Sequence, residues 1–203
     1  MENLGYYFFK EEKFMNDSVW ISRSGYTGED GFEIFSSNAL SVPLWDRLIG
    51  EGKKEGALPA GLGARNTLRL EAGNVLYGNE LDASTTPLEA NLHWAVSFKK
   101  GGFVGREMLF TQKQQGLRRH LVGFKMLDKP VAREHYPIFK DAKQIGHVTS
   151  GSFGPSAGCN IGLGYVENGF EIPGTPIEIE IHGQRVKAEV VKLPFITLRH
   201  KKG

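Results

Sequence analysis

A single cysteine, Cys159, in 203 residues rules out an internal disulfide and any cluster of thiolate metal ligands. The six histidines, His93, His120, His135, His147, His182 and His200, show no His-x-x-x-His spacing, so no metal is expected. Net charge is nearly absent: 25 Lys and Arg stand against 23 Asp and Glu, with no basic block longer than a few residues, which argues against nucleic acid as a partner. No apolar run approaches the ~20 residues of a membrane span. Gly151-Ser152-Phe153-Gly154 lacks the spacing of a nucleophile elbow, and Gly61-Leu62-Gly63 lacks the third glycine and the lysine of a phosphate loop. No leader pattern opens the chain, so the cytoplasm is the expected compartment. A hydrophobic content of 40% and an aromatic content of 11% are present instead, enough for a buried core in one large or two small domains.

The chain is organised around Ser22-Arg23-Ser24-Gly25-Tyr26-Thr27-Gly28-Glu29-Asp30-Gly31-Phe32-Glu33-Ile34. Val19 to Arg23 alternates as one strand and Phe32 to Phe35 as another. The three glycines and the Asp30-Gly31 pair between them permit positive φ and a reversal of direction. A side-chain period of two sets Phe32 and Ile34 on one face and Glu33 with Phe35 on the other. By residue type alone, Glu33 is either a solvated glutamate or a carboxylate held beside an aromatic for binding.

Upstream, Tyr6-Tyr7-Phe8-Phe9 is predicted as a short aromatic strand. Downstream, Ser41 to Ile49 carries apolar residues at 44, 45, 48 and 49 behind a serine cap and Pro43, the pattern of a one-faced helix with Trp45 and Leu48 in the core. Leu62 to Ala72 predicts a helix closed by Gly73, with Arg65 and Arg69 four apart on one face, either solvated or paired. Thr86-Pro87-Leu88-Glu89 is a capping box that opens a short helix, His93 to Phe98 a strand, and Gly105 to Gln115 a helix closed by Gly116. From Leu117 the chain turns to short alternating runs, His120 to Met126, Tyr136 to Phe139, Gln144 to Thr149, Ile161 to Val166, Pro176 to Ile181 and Arg185 to Lys192. Turn residues break them at short intervals, the cadence of an antiparallel barrel or sandwich.

The hairpin stretch resembles the signature of the glycine cleavage system T-proteins, tetrahydrofolate-dependent aminomethyltransferases. Gly61-Leu62-Gly63-Ala64-Arg65-Asn66-Thr67-Leu68-Arg69-Leu70-Glu71-Ala72-Gly73, Leu76-Tyr77-Gly78-Asn79-Glu80-Leu81-Asp82, Thr85-Thr86-Pro87-Leu88-Glu89-Ala90, Ile145-Gly146-His147-Val148-Thr149-Ser150-Gly151 and Gly162-Leu163-Gly164-Tyr165-Val166 resemble further blocks of that family, in family order. The resemblance runs from about Tyr6 to Phe195 and corresponds to the C-terminal half or so of a T-protein. It implies an α+β fold: residues 1–116 as part of the antiparallel-sheet folate-binding domain with its helices, and residues 117–203 as a C-terminal all-β barrel or sandwich domain.

The same resemblance implies that Glu33 and Arg65 bind folate and that Tyr26 lines the pocket. Arg199, near the C-terminus, is a weaker counterpart of a polar family residue. A carboxylate such as Glu33 accepts the two parallel donors on a pterin edge, whereas Arg65 holds either an acceptor oxygen or the anionic tail. Tetrahydrofolate is implied as substrate, with no metal, and the lipoyl-carrying H-protein as partner. The family's catalytic aspartate has no counterpart in these residues, so turnover is expected to need a complementary N-terminal half, and the chain to form an oligomer or complex. A transit peptide would be lost with that half, which makes the mitochondrial matrix the alternative compartment. Two other readings remain open: a catalytically silent folate-binding or interaction module, and a folate-dependent demethylase or dimethylglycine-dehydrogenase-type domain.

Overall fold

The structure, a computed structural model, describes residues 3–199. The chain forms two compact units, Met1–Leu68 with Leu198–Gly203, and Arg69–Thr197.

In the first unit, β1 (Phe9–Phe14), β2 (Asp17–Ser22) and β3 (Glu33–Phe35) form an antiparallel sheet in the order β1-β2-β3. β1 and β2 are joined through Met15 and Asn16, both at positive φ, the two-residue turn whose twist suits a hairpin. Alternation directs Val19 and Ile21 inward, where they pack with Leu40 of α1 (Asn38–Gly52), Phe14 and Ile34. The other face carries aromatics: Trp20 stands opposite Phe35 in the register and 5.5 Å from the Phe9 ring, and all three are exposed.

Several expectations change here. The predicted strand at Tyr6 to Phe9 begins only at Phe9, because Tyr7 adopts a left-handed φ of 67° that breaks the extended path. α1 starts before Ser41, behind an extended Ser37, and runs through Pro43. Trp45 and Leu48 are not core residues; they are 53% and 49% exposed. A three-stranded sheet offers α1 too little inward surface to cover its whole apolar stripe, and of α1 only Leu40 is buried.

α2 (Leu62–Glu71) is followed by Gly73 at a φ of 73°, as its sequence predicts. In the second unit the Thr86/Glu89 capping box forms: the Thr86 amide donates to Glu89 Oε2 at 2.9 Å and the Glu89 amide to Thr86 Oγ1 at 3.3 Å. It nucleates turns rather than a helix, since Asn91 takes a φ of 60°. The strand expected at His93 to Phe98 is a single 3-10 turn at His93–Ala95; no strand among the described residues pairs with it. α3 (Arg106–Gln115) lies between Gly105 and Gly116, both at positive φ.

The remaining strands, β4 (Arg119–Met126), β5 (Pro137–Lys140), β6 (Lys143–Gly154), β7 (Cys159–Glu167), β8 (Pro176–Ile181) and β9 (Gln184–Val191), close into an antiparallel barrel in the order β4-β7-β6-β5-β8-β9. Closure leaves no sheet edge. β8 illustrates the alternation that fills the interior: Ile177, Ile179 and Ile181 are buried while Glu178 and Glu180 face outward. β7 is buried along most of its length because its residues Ile161, Leu163 and Tyr165 pack with Leu70 and Leu121 in a second cluster. The mixed helix-and-sheet class with a C-terminal all-β barrel is thus the one expected from the sequence.

Candidate functional site

The loop of residues 23–32 leaves β2 and returns as β3. It is held by a fork rather than by its glycines alone. Arg23 Nε and Nη2 donate to the two Asp30 oxygens at 2.9 and 2.7 Å, and Arg23 Nη1 donates to the Leu4 carbonyl at 2.8 Å. Gly28 takes a φ of 78°, the one left-handed residue of this loop. With both ends of the loop clasped, the side chains between them keep a fixed frame.

At the foot of that frame lies Glu33. Its Oε2 accepts a hydrogen bond from Ser24 Oγ at 2.5 Å, and the Ser24 oxygen is 2.8 Å from Ser22 Oγ. Pairing of β2 with β3 sets Ser22 directly opposite Glu33, which explains why the three meet. Tyr6 lies within electrostatic reach: burial first, then the Tyr7 hydrogen bond and the charges of Tyr7, Asp30 and Glu33, push its phenol up to about 12.

Further along the loop, Tyr26 presents its ring to Arg65, whose Cζ is 4.9 Å from the centroid. Arg65 is exposed and Tyr26 half-buried, so the pair offers a flat cationic surface to solvent. Near the C-terminus, the Arg199 amide donates to the Gly28 carbonyl at 2.8 Å, and Arg199 Nη1 lies 3.9 Å from Glu29 Oε1. The four residues singled out in the sequence therefore divide: Tyr26 and Arg65 touch, Arg199 joins the same loop through its backbone, and Glu33 sits at the loop's base with Ser24. Sequence reasoning assigned nothing to Ser24 and gave Asp30 only a place in the turn. The signal lay in the strand register, which puts a hydroxyl opposite a carboxylate.

Arg69 is taken up by a buried ionic network. In the second unit it is buried against Glu80, with Nη1 2.8 Å from Glu80 Oε2, and donates from Nη2 to Ser150 Oγ at 2.8 Å. Glu80 Oε1 accepts from the Thr149 and Ser150 hydroxyls at 2.7 and 2.5 Å. This is a satisfied ionic network of the fold. Cys159 is half-buried against the cluster around Leu70. Among the described residues no group of three or more His, Cys, Asp or Glu side chains could hold a metal ion.

Clefts open on the second unit among the described residues. One of about 430 Å³ lies between α3 and Thr86 to Glu89. Another, about 380 Å³, is lined by Arg119, His147 and Tyr165. The Arg119 guanidinium stacks 4.6 Å from the Tyr165 ring while its Nε donates to Glu89 at 3.0 Å. Neither cleft includes Tyr26, Glu33, Arg65 or Arg199.

Comparison with known proteins supplies independent findings. Residues 1–100 match the family model of the GCVT N-terminal domain, and residues 119–196 that of the glycine cleavage T-protein C-terminal barrel domain. Aminomethyltransferases of Thermosipho melanesiensis and Moorella thermoacetica are each 47% identical, over 96% of this chain and 52% and 53% of their own lengths. The aminomethyltransferase of Thermoanaerobacter pseudethanolicus is 43% identical over 100% of this chain and 55% of its own. A crystal structure of the glycine cleavage system aminomethyltransferase T from Bartonella henselae superposes with a TM-score of 0.89 at 35% identity, covering 98% of this chain and 55% of that one. The chain spans about half the length of the curated relatives it matches.

Proposed function

The chain belongs to the glycine cleavage T-protein family, and from that premise we propose that it supplies the tetrahydrofolate-binding portion of an aminomethyltransferase. The observation that carries this reading is Glu33, a carboxylate fixed by Ser24 at the base of a clasped loop whose other residues set Tyr26 against Arg65. A pterin edge presents an amino group and a ring N–H side by side, two donors that one carboxylate accepts together. A buried edge left unpaired would cost about 1–3 kcal/mol per group, so a fixed acceptor gives selectivity as well as affinity. The exposed guanidinium of Arg65, and that of Arg199, suit the carboxylates of a folate tail.

In the proposed reaction, an aminomethyl group on the sulfur of the dihydrolipoyl arm of H-protein passes to tetrahydrofolate. The carbon forms bonds to two folate nitrogens, and its bonds to sulfur and to the amino nitrogen break. The products are methylenetetrahydrofolate, ammonia and the free dihydrolipoyl thiol. This chain's residues bind and orient the folate, so that its nitrogen meets the carbon without a bimolecular search. We assign turnover to this chain together with the remainder of the family's length, whether joined to it or supplied separately, and not to the 203 residues alone.

The test is formation of methylenetetrahydrofolate and ammonia from aminomethylated H-protein. Product is expected when the chain is combined with the complementary half of a close relative and not with either half alone. Absence of product from the combined halves, both folded, would contradict the reading.

A further inference from the structure

Building on the tetrahydrofolate reading, we propose that Ser24 is the positioning residue that orients the Glu33 carboxylate for its ligand, and that Ser22 holds Ser24 in place. An ionised carboxylate only accepts hydrogen bonds, so the Ser24 proton is committed to Glu33 Oε2. The 2.8 Å contact between the two serine oxygens must then run with the Ser22 hydroxyl donating and Ser24 accepting. Ser22 to Ser24 to Glu33 is a directed chain in which each bond polarises the next.

Its consequence for a ligand is geometric. Glu33 Oε2 is pinned, whereas among the described residues no hydrogen bond engages Oε1. Rotation about the last bond of the side chain is therefore arrested with one oxygen still free to accept. A ligand bearing two parallel N–H donors meets an acceptor already set in plane, and does not bear the cost of ordering a flexible glutamate.

A purely structural role for these hydroxyls explains less. The loop that carries Ser24 is already closed by the Arg23–Asp30 fork, and the strands by their backbone ladder. What the serine hydroxyls add is the orientation of one side chain, Glu33.

The experiment titrates the 203-residue chain, as wild type and as Ser24→Ala, Ser24→Thr and Ser22→Ala, with tetrahydrofolate and with its analogue lacking the pterin 2-amino group. Loss of a hydrogen bond to a charged acceptor predicts at least about tenfold weaker tetrahydrofolate binding in Ser24→Ala. The analogue, short of one donor, should lose less, so the discrimination between the two ligands falls. Ser24→Thr keeps the hydroxyl and should return affinity to within about threefold, and Ser22→Ala, one bond removed, should cost about threefold. Unchanged affinity and discrimination in Ser24→Ala, with the wild type binding, would overturn the proposal alone. Equal weakening of both ligands without rescue by threonine would also overturn it, since that marks a loop defect. A folded wild-type chain that binds no tetrahydrofolate, either alone or combined with the complementary half of a relative, would overturn the reading beneath it as well.

Discussion

Arg69 and Glu80 form an ion pair sealed from solvent, their side chains 1% and 0% exposed and their charged atoms 2.8 Å apart. Each remaining lobe is satisfied: Glu80 by the Thr149 and Ser150 hydroxyls and the Leu76 amide, Arg69 by Ser150 and the Asn74 carbonyl. Removing one partner strands the other charge without water. Glu80→Ala should therefore destabilise the protein by roughly 3–5 kcal/mol, read from the denaturant midpoint. The paired replacement Arg69→Met with Glu80→Leu should cost less than either charge left alone. A double variant as unstable as the sum of the singles would show that the pair acts through something other than mutual neutralisation.

Gly146 is required by proximity. A Cβ there would stand 1.8 Å from the Tyr165 carbonyl oxygen, where β6 and β7 pair. Gly146→Ala must push these barrel strands apart and should cost about 1–3 kcal/mol or more. Gly101→Ala, with open space around the position, should stay within about 0.5 kcal/mol. Equal denaturant midpoints for the two variants would refute the packing argument.

Acid should weaken the fold in two stages. Burial, then the charges of Arg119 and His135, hold the His147 imidazole below its ordinary 6.5. Between that folded value and 6.5 the unfolded chain binds more protons, so stability is full above 6.5 and falls as pH drops below it. Glu89 follows at lower pH: burial pushes its carboxyl up, but the Thr86 amide, Arg119 and the Thr86 hydroxyl outweigh burial and keep it below 4.5. Its contribution is present above 4.5 and lost as pH falls beneath it. Denaturation curves at stepped pH should show His147→Gln flattening the first stage and not the second. An unchanged profile in that variant would remove His147 from the account.

Tyr26 and Arg65 should act as a unit in ligand binding. Arg65→Ala and Tyr26→Leu are each expected to weaken tetrahydrofolate several-fold, and the double variant no more than the worse single, because either change dismantles the stacked pair. Fully additive losses in a double-mutant cycle would mean that the two contact the ligand independently.

The barrel is largely legible in the sequence. Runs such as Ile177 to Ile181 alternate cleanly, and the turns between them carry Gly and Asp, so local chemistry and fold agree. The first unit is less so. The β1–β2 turn is made by Met15 and Asn16 at positive φ, and neither residue announces it as Asn-Gly would. Trp45 and Leu48 have the spacing of core positions, but burial depends on what faces a helix, and that is a tertiary fact. At the candidate site, Glu33, Tyr26, Arg65 and Arg199 stand out by resemblance, whereas Ser24 becomes visible only once Ser22 is known to pair with Glu33. Arg69 is the converse: four residues from Arg65 on the same helix, it is consumed by a buried network whose partner, Glu80, lies beyond the reach of helical periodicity.

The proposed function rests on Glu33 accepting the donors of a folate pterin. Calorimetric titration of the chain with tetrahydrofolate, beside Glu33→Gln, tests it most directly. The amide keeps the shape but sets a donor where an acceptor is required. Saturable binding by the wild type and its loss in Glu33→Gln, with equal thermal midpoints, is the predicted result. Equal affinity in both proteins would contradict the account.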